Sequence, residues 1–554
     1  MSVRCMPRNA AALAAVCLSA LMLGLEISSV PAVLPTLEQV LRADFRDLQW
    51  IMNAYTIAMT TWLMAMGALA DRFGRKRVFL AGLAVFGAAS LLCGLAASAI
   101  GLIAARFLQG TGAAAMLACQ TAVLSHQFRD GPNRGTAFGA YGIVLGVGLG
   151  FGPLVGGLVV AASTWQWVFL VHAVLAVVAM ILARAGVEES SDPDALRIDL
   201  AGMVTLSASV FCVVFLISRG QAPSPADPAG LLAAVIGTLS VALFAVVETR
   251  TPRPMADVRA FRIRRFSGAL IGAGGMNFSF WPFVIYLPIH VQSGLGLDGV
   301  SAGLALLAYT LPTLFVPPLA EVLLRRCGPH RVIPLGLLTI GLGFTLMRVA
   351  TAAAPASWAA LLPGCLLAGI VTGLANTPVT NTATAARPAE RAGMDPAGRA
   401  GMASGMDMSA RMICLAINIA VMGAILMQGV RASLVRQVPQ TESALLDRLA
   451  ETIAAGNLTA GDLGGMAVGA EAAREALLHG FGWVMLYAAF CAWTMAALSL
   501  VVFGHGTVPV EAEGRGGRTG ARAAHDPGGA LTPSTPPAPA PAPASPAHPP
   551  SAPR

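Results

Sequence analysis

Charge is what this chain has least of. Only 12% of its 554 residues are Asp, Glu, Lys or Arg, against roughly a quarter in an ordinary soluble protein, while 56% are hydrophobic. A soluble globular domain is excluded by that balance. Lysine is almost missing, Lys76 being the single one. The net charge of +8 therefore rests on arginines in short segments between apolar runs. Nucleic-acid binding needs a basic face or groove-reading elements instead, so no such partner is expected. Cys5, Cys17, Cys93, Cys119, Cys212, Cys327, Cys365, Cys414 and Cys491 show no CxxC or paired spacing. Neither a disulfide nor a metal site is expected from them. There is no HExxH and no clustered nucleophile or carboxylate pair, so the expectation is not an enzyme.

What the sequence does have is apolar length, recurring from Ala10 almost to His505. Its start, MSVRCMPRNAAALAAVCLSALMLGL, carries the charged and apolar parts of a secretory signal. No A-x-A cleavage pattern follows and the apolar character runs on to Pro35, so it is read as an uncleaved first span. With a window of about twenty residues, spans fall near 10–34, 48–70, 78–96, 98–124, 135–161, 166–186, 198–218 and 229–248. Six more fall near 267–291, 300–323, 331–350, 357–384, 403–428 and 481–504. The reading is an all-α polytopic membrane protein of about fourteen transmembrane helices.

Arginine placement tests the span list, because a missed span would reverse the side of every later loop. One side collects Arg4, Arg8, Arg72, Arg75, Arg77, Arg129, Arg134, Arg184, Arg197, Arg250, Arg253, Arg259, Arg262, Arg264 and Arg265. It goes on with Arg325, Arg326, Arg331, Arg387, Arg391, Arg399 and the tail arginines. The other holds Arg42, Arg46, Arg219, Arg348 and four arginines of one loop at 430–479. The rich side is expected to be cytoplasmic, and both termini with it. Ala, Gly and Pro excess beside a single lysine suggests a GC-rich bacterial genome, hence a bacterial cytoplasmic membrane. The loop 430–479 contains TESALLDRLAETIAA and is expected to form a small external cap. The Pro-rich tail 506–554 cannot bury a core and is expected to be disordered.

GALADRFGRKR at 67–77 is echoed by PLAEVLLRRCGPHR at 318–331. A parallel repeat of this kind builds transporters of two six-helix halves. The expected organisation is residues 1–190 as one half, 191–250 as an inserted helix pair, 251–505 as the second half and 506–554 as the tail.

Three local features invite chemistry. Span five holds Gly139, Gly148, Gly152, Pro153, Gly156 and Gly157. Gly148, Gly152 and Gly156, four apart, make a smooth face for close helix packing, and Pro153 frees a carbonyl and bends the helix. The alternating Gly146, Gly148 and Gly150 follow no strand and are not a nucleotide loop. Glu26 and Arg106 are ionisable residues inside apolar spans, functional by default. Glu26 sits roughly 24 Å from the inner end of span one at 1.5 Å per residue and Arg106 lies well inside span four, so the two can meet near the midplane. A buried carboxylate whose pKa is raised by desolvation and lowered by a cation can exchange protons; the plainer reading is a static structural pair. His172 and His290 are weaker candidates.

These motifs resemble the major facilitator superfamily. GALADRFGRKR looks like its signature loop between spans two and three, with Gly67, Asp71, Arg72, Gly74, Arg75 and Lys76 on the pattern. Gly139, Gly148 and GPLVGG at 152–157 match its antiporter motif, and RFLQGTGAA, with Arg106, Gln109 and Gly110, is similar to its fourth-span motif. The inserted pair, LQWIMNAY at 48–55 and WQWVFL at 165–170 resemble its fourteen-span drug/proton antiporters of the QacA and EmrB type.

The resemblance implies a major facilitator fold and proton-coupled efflux of hydrophobic or cationic drugs, with a dedicated exporter of one metabolite or self-made antibiotic as the alternative. It implies no cofactor beyond the proton gradient. The implied partners are a small-molecule substrate, protons, the lipid bilayer and, in double-membraned cells, a periplasmic adaptor. Asn53, Tyr55, Gln120, Asn277, Trp281, Tyr286 and Asn376 are the candidates for the substrate cavity.

Departures from the family pattern are also visible. Glu26 and Ser28 stand where it has Asp and Thr, Pro31 replaces its Asn, and Arg411 is followed by MICLAINIA rather than glycines. Asp71, at the C-terminal end of span two, is disfavoured by the helix dipole. It needs a neighbouring arginine or a helix N-terminus of the other half, by resemblance that of span thirteen near Gly401. With Gly67 allowing close approach and Gly74 the turn, the loop reads as a cytoplasmic latch.

Overall fold

The computed structural model describes residues 5–128, 132–191, 200–219, 227–250, 261–353, 357–385, 396–439, 441–458 and 469–504. The tail expected to be disordered lies outside them. The described chain is helical: α1 Cys5–Leu41, α2 Phe45–Phe73, α3 Arg75–Gly94, α4 Ala99–Gln127, α5 Pro132–Ala162, α6 Trp167–Gly186, α7 Leu200–Arg219 and α8 Pro228–Arg250. Then come α9 Arg264–Phe278, α10 Phe280–Ile289, a π turn His290–Gly294, α11 Gly299–Thr310, α12 Pro312–Phe315, α13 Pro317–Cys327, α14 Pro329–Ala352, α15 Trp358–Ala385, α16 Pro396–Gln437, α17 Ser443–Ala454 and α18 Ala470–Phe503.

Among the described residues, 11 helical segments are long and apolar enough to cross a membrane. Val204–Ile217 and Gly299–Phe315 are shorter apolar helices. With α2, whose ends carry Arg46, Asp47, Asp71 and Arg72, they supply one helical segment for each span read from the sequence. Prolines account for the broken ones. Pro282, Pro312 and Pro317 each lack an N–H and crowd the preceding turn, dividing the ninth span into α9 and α10 and the tenth into α11, α12 and α13. Within the loop expected at 430–479, α16 runs on to Gln437 and α18 begins at Ala470; between them lies α17, whose Leu446, Leu449 and Ile453 are buried in the larger core.

Helices α1 to α6 pack mainly among themselves, as do α9 to α18; one buried cluster lies within the first set, while the larger one runs from α1, α2, α4 and α6 into the second. Between them, α7 packs on α2 and α16. Ile57, Val210, Val214, Ala416 and Ala420 make a small shared core there, and Trp50 lies 5.8 Å from Phe211 between ring centroids. The inserted pair thus touches both halves through α7. The repeat is legible in backbone geometry too. Gly74 opens α3 at φ 110° and Gly328 opens α14 at φ 75°, a left-handed conformation that glycine adopts without a Cβ penalty.

Contacts joining the halves gather toward the end of the bundle that holds the α1–α2 turn. Gln292 Nε2 donates to the Ala32 carbonyl at 3.0 Å, Asn457 Nδ2 to Glu38 Oε1 at 3.0 Å, and Arg46 Nε lies 3.2 Å from Glu451 Oε1. At the opposite end, the α2–α3 turn is held inside its own half. Glu189 Oε1 accepts from the Lys76 N–H at 3.0 Å, and the Arg75 N–H donates to the Ser190 carbonyl at 2.8 Å.

Candidate functional site

Four helices of the first half converge on Glu26. The α5 glycines bring α1 in: a Cβ on Gly148 would sit 2.8 Å from the Leu21 carbonyl, one on Gly156 2.6 Å from the Ser29 carbonyl, and one on Gly152 would collide with Ser28 Oγ. The predicted smooth face is therefore the α1–α5 contact. Gly157 instead faces Gly299 of α11, and the Thr310 hydroxyl donates to the Gly150 carbonyl at 2.7 Å, three residues before Pro153. A Cβ on Gly139 would meet nothing within 4 Å.

With α1 so placed, Glu26 Oε1 accepts a hydrogen bond from Arg106 Nη1 of α4, and both side chains are fully buried. Arg106 Nη1 also donates to Gln109 Oε1 at 2.7 Å and Nε to the Ile51 carbonyl of α2 at 3.0 Å. Gln109 in turn donates to Ser90 Oγ of α3 at 2.9 Å. The guanidinium lies over the Tyr55 ring, 4.4 Å from its centroid, a cation–π contact strengthened by the absence of water. His172 of α6 completes the ring of neighbours, its Nδ1 3.4 Å from Glu26 Oε2. The meeting expected of Glu26 and Arg106 is present, with an opposite charge and several donors offsetting burial that would otherwise expel both ions.

Beside this pair a cavity lies between the halves, lined by Ile27, Ser28, Met52, Tyr55, Thr56, Met59, Leu149, Trp281, Val284, Ile285 and Leu415. Of the seven cavity candidates, Tyr55 and Trp281 line it. Five do not, because most spend their polar groups on helix packing. Gln120 donates to Ser19 and accepts from Tyr141, Asn277 donates to the Ala273 carbonyl, and Tyr286 donates to the Ile419 carbonyl at 2.5 Å. Asn376 accepts from Arg411 at 2.7 Å. Asn53 is buried, both its amide atoms without a hydrogen-bond partner among the described residues, and stands outside the lining. The methionines and aliphatics that do line the cavity carried no polar signal in the sequence.

Reading from sequence also missed a second buried ion pair. Arg411 Nε lies 3.0 Å from Asp407 Oδ2 in α16, a spacing of four residues on one helix face that was available as a signal.

In the latch motif, Asp71 has found the nearer of its two expected partners: Arg75 donates to Asp71 Oδ1 at 2.8 Å. Among the described residues, a Cβ on Gly67 would meet nothing within 4 Å. Arg72 lies over the Phe73 ring at 5.3 Å, and Lys76 Nζ donates to the Arg184 carbonyl at 2.9 Å. The side chains of α16 near Gly401, the alternative partner, lie outside the described ones.

A polytopic bundle of two helical halves, with a buried ion pair beside a cavity between them, defines a membrane transport protein. The chain belongs to the Major Facilitator Superfamily, whose model matches residues 16–418. It is 30% identical over 426 residues to the multidrug resistance protein Stp of Mycobacterium tuberculosis, covering 77% of each chain. It is 29% identical over 509 residues to the tetracenomycin C resistance and export protein of Streptomyces glaucescens, covering 88% of this chain and 90% of that one. Among solved structures, a bacterial homologue of the lysosomal transporter Spinster matches 91% of this chain and 98% of its own with TM-score 0.58 at 16% identity. The nucleoside transporter NupG matches 89% and 100% with TM-score 0.57 at 12% identity. These last two likenesses concern the fold.

Proposed function

We propose that the protein exports hydrophobic or cationic compounds across the bacterial cytoplasmic membrane in exchange for protons, the two halves rocking about the Tyr55–Trp281 cavity. The observation that carries this reading is the double position of Tyr55. Its ring supports Arg106 and its side chain lines the cavity, so an occupant of the cavity acts directly on the cation that holds Glu26. A proton on Glu26 cancels its attraction for Arg106; a cationic occupant competes with that proton for the same buried carboxylate. The apolar, methionine-containing lining suits varied hydrophobic shapes. Relatives named for multidrug resistance and antibiotic export support the same direction.

Arginine bias assigns the α2–α3 end to the cytoplasm, with both termini there. The contacts between halves then lie at the outer end, and the described conformation is the inward-facing one. Asp71 paired with Arg75 is the released latch; in the outward-facing state it would engage the N-terminal region of α16. No resident cofactor is needed, the proton gradient being the driving force. The cap helix α17 sits on the outer face, where a periplasmic adaptor would meet it. The second reading, a dedicated exporter of one metabolite or self-made antibiotic, draws on the relative named for tetracenomycin C export.

A compound panel in pump-deficient cells, with and without a proton uncoupler, separates the outcomes. Uncoupler-sensitive resistance to several unrelated compounds is expected; resistance to one compound would favour the dedicated exporter, and resistance indifferent to the uncoupler would overturn proton coupling.

A further inference from the structure

The Glu26 site holds a group that the exchange just described does not use. His172 is buried in α6, and its Nδ1 lies 2.9 Å from the Val168 carbonyl. A carbonyl only accepts, so Nδ1 carries the hydrogen and Nε2 carries the lone pair. Among the described residues that Nε2 has no hydrogen-bond partner although it is buried, and neither has Glu26 Oε2. The two groups face each other, with Nδ1 3.4 Å from Oε2. Phe86 meets the imidazole edge-on at 5.9 Å between centroids and fixes its plane.

We infer that His172 is a second proton acceptor of the Glu26–Arg106 site, filled before Glu26 itself. Resting on the antiport reading above, it deepens that reading by assigning the site two exchangeable protons. The order follows from the bonds each proton would break. A proton on Glu26 weakens its bond to Arg106, whereas a proton on Nε2 breaks nothing. It gives an imidazolium whose Nδ1–H still faces the Val168 carbonyl and the Glu26 carboxylate.

The charged and titratable neighbours around the pair are Glu26 from α1, Arg106 from α4, Tyr55 from α2 and Cys93 from α3. From Thr136 to Ala162, α5 contributes no charged residue. With Glu26 ionised and Arg106 charged, the site starts near neutrality and gains one positive charge when His172 is filled. A second proton neutralises Glu26 and frees Arg106 to move with the helices. A cationic compound entering the cavity meets a site that cannot hold it and both protons together, and both leave to the cytoplasm.

The test is proton uptake by the purified full-length protein in detergent, read with a pH dye on a step from pH 8 to pH 5, so that no substrate need be known. His172→Asn keeps an N–H for the Val168 carbonyl and cannot take a proton. Its uptake should fall below wild type by about one proton per molecule, and that of Glu26→Gln/His172→Asn by about two. Thermal melting should be unchanged in His172→Asn, and His172→Gln carries the same comparison should the Asn variant misfold. Uptake equal to wild type in a folded His172 variant would overturn the inference. In proteoliposomes, His172→Asn should also flatten the pH profile of ethidium transport while ethidium binding persists. Ethidium transport by wild type that ignores the proton gradient would sink the antiport reading while leaving the uptake difference standing.

Discussion

At the scale of single residues, the site depends on two ions that neither water nor lipid can satisfy. Removing one of a buried pair leaves the other uncompensated, at a cost of about 3–5 kcal/mol. Arg106→Ala should therefore lower the melting temperature of the purified protein sharply, and Glu26→Gln in the same chain should restore part of the loss. Tyr55→Phe keeps the ring under the guanidinium and should leave melting near wild type, whereas Tyr55→Ala should weaken both dye binding and its proton dependence. Glu26 and Arg106 were legible in the sequence because an ionisable residue in an apolar run stands out against its neighbours. The cavity wall was not. Met52, Met59 and Leu415 look like any lipid-facing residue until the fold says which way they point, and polar candidates such as Asn376 turned out to serve a neighbouring arginine.

At the scale of elements, the glycines of α5 divide into two kinds. Gly152→Leu would drive a side chain into Ser28 and Ser29, so overpacking of about 1–3 kcal/mol or more is expected, visible as poor yield and early melting. Gly139→Ala meets open space in this conformation and should melt like wild type, so any transport defect there would report on another state of the cycle. The spacing of four gave a close-packing face from sequence, since helix geometry alone puts those positions on one face, but that α1 is its partner came only with the fold. Which of the motif's remaining glycines touch a partner depended on the second half, which no local pattern encodes.

Helix α17 carries its own pH dependence. Burial is the largest influence on the Glu451 carboxyl and raises its pKa, with Arg46 opposing and Asp44, Asp47 and Asp447 adding to the rise. A carboxyl whose folded pKa is raised binds its proton more tightly in the native state, so its ionised form disfavours the docked cap at neutral pH and the penalty fades as pH falls through that pKa. Glu451→Gln should thus melt no earlier than wild type at pH 7.5, and the difference should shrink as pH falls through the raised carboxyl pKa toward the ordinary carboxylate range. Earlier melting at pH 7.5 would mean that the Arg46 pair outweighs burial.

At the scale of the whole molecule, the repeat pointed to two halves and the arginine distribution to the span count, because both are global patterns that survive boundary errors. The breaks at Pro282 and Pro312 and the 42-residue length of α16 were less readable, since a helix runs past a membrane boundary wherever its neighbours keep it company. The inserted α7, packed on α2 and α16, must slide or bend as the halves rock. On the proposed latch reading, Asp71→Asn should keep topology and expression while impairing transport. Full efflux in that variant would leave the motif's charges a topological role alone.

The central claim, that a proton exchanged at Glu26 drives export, is tested most directly in proteoliposomes with an imposed pH gradient, following ethidium and internal pH together. The wild-type protein should move ethidium against its gradient with an opposing proton flux, and Glu26→Gln at equal reconstituted amount should do neither, while still binding the dye. Gradient-driven ethidium movement at the wild-type rate in Glu26→Gln would contradict the account.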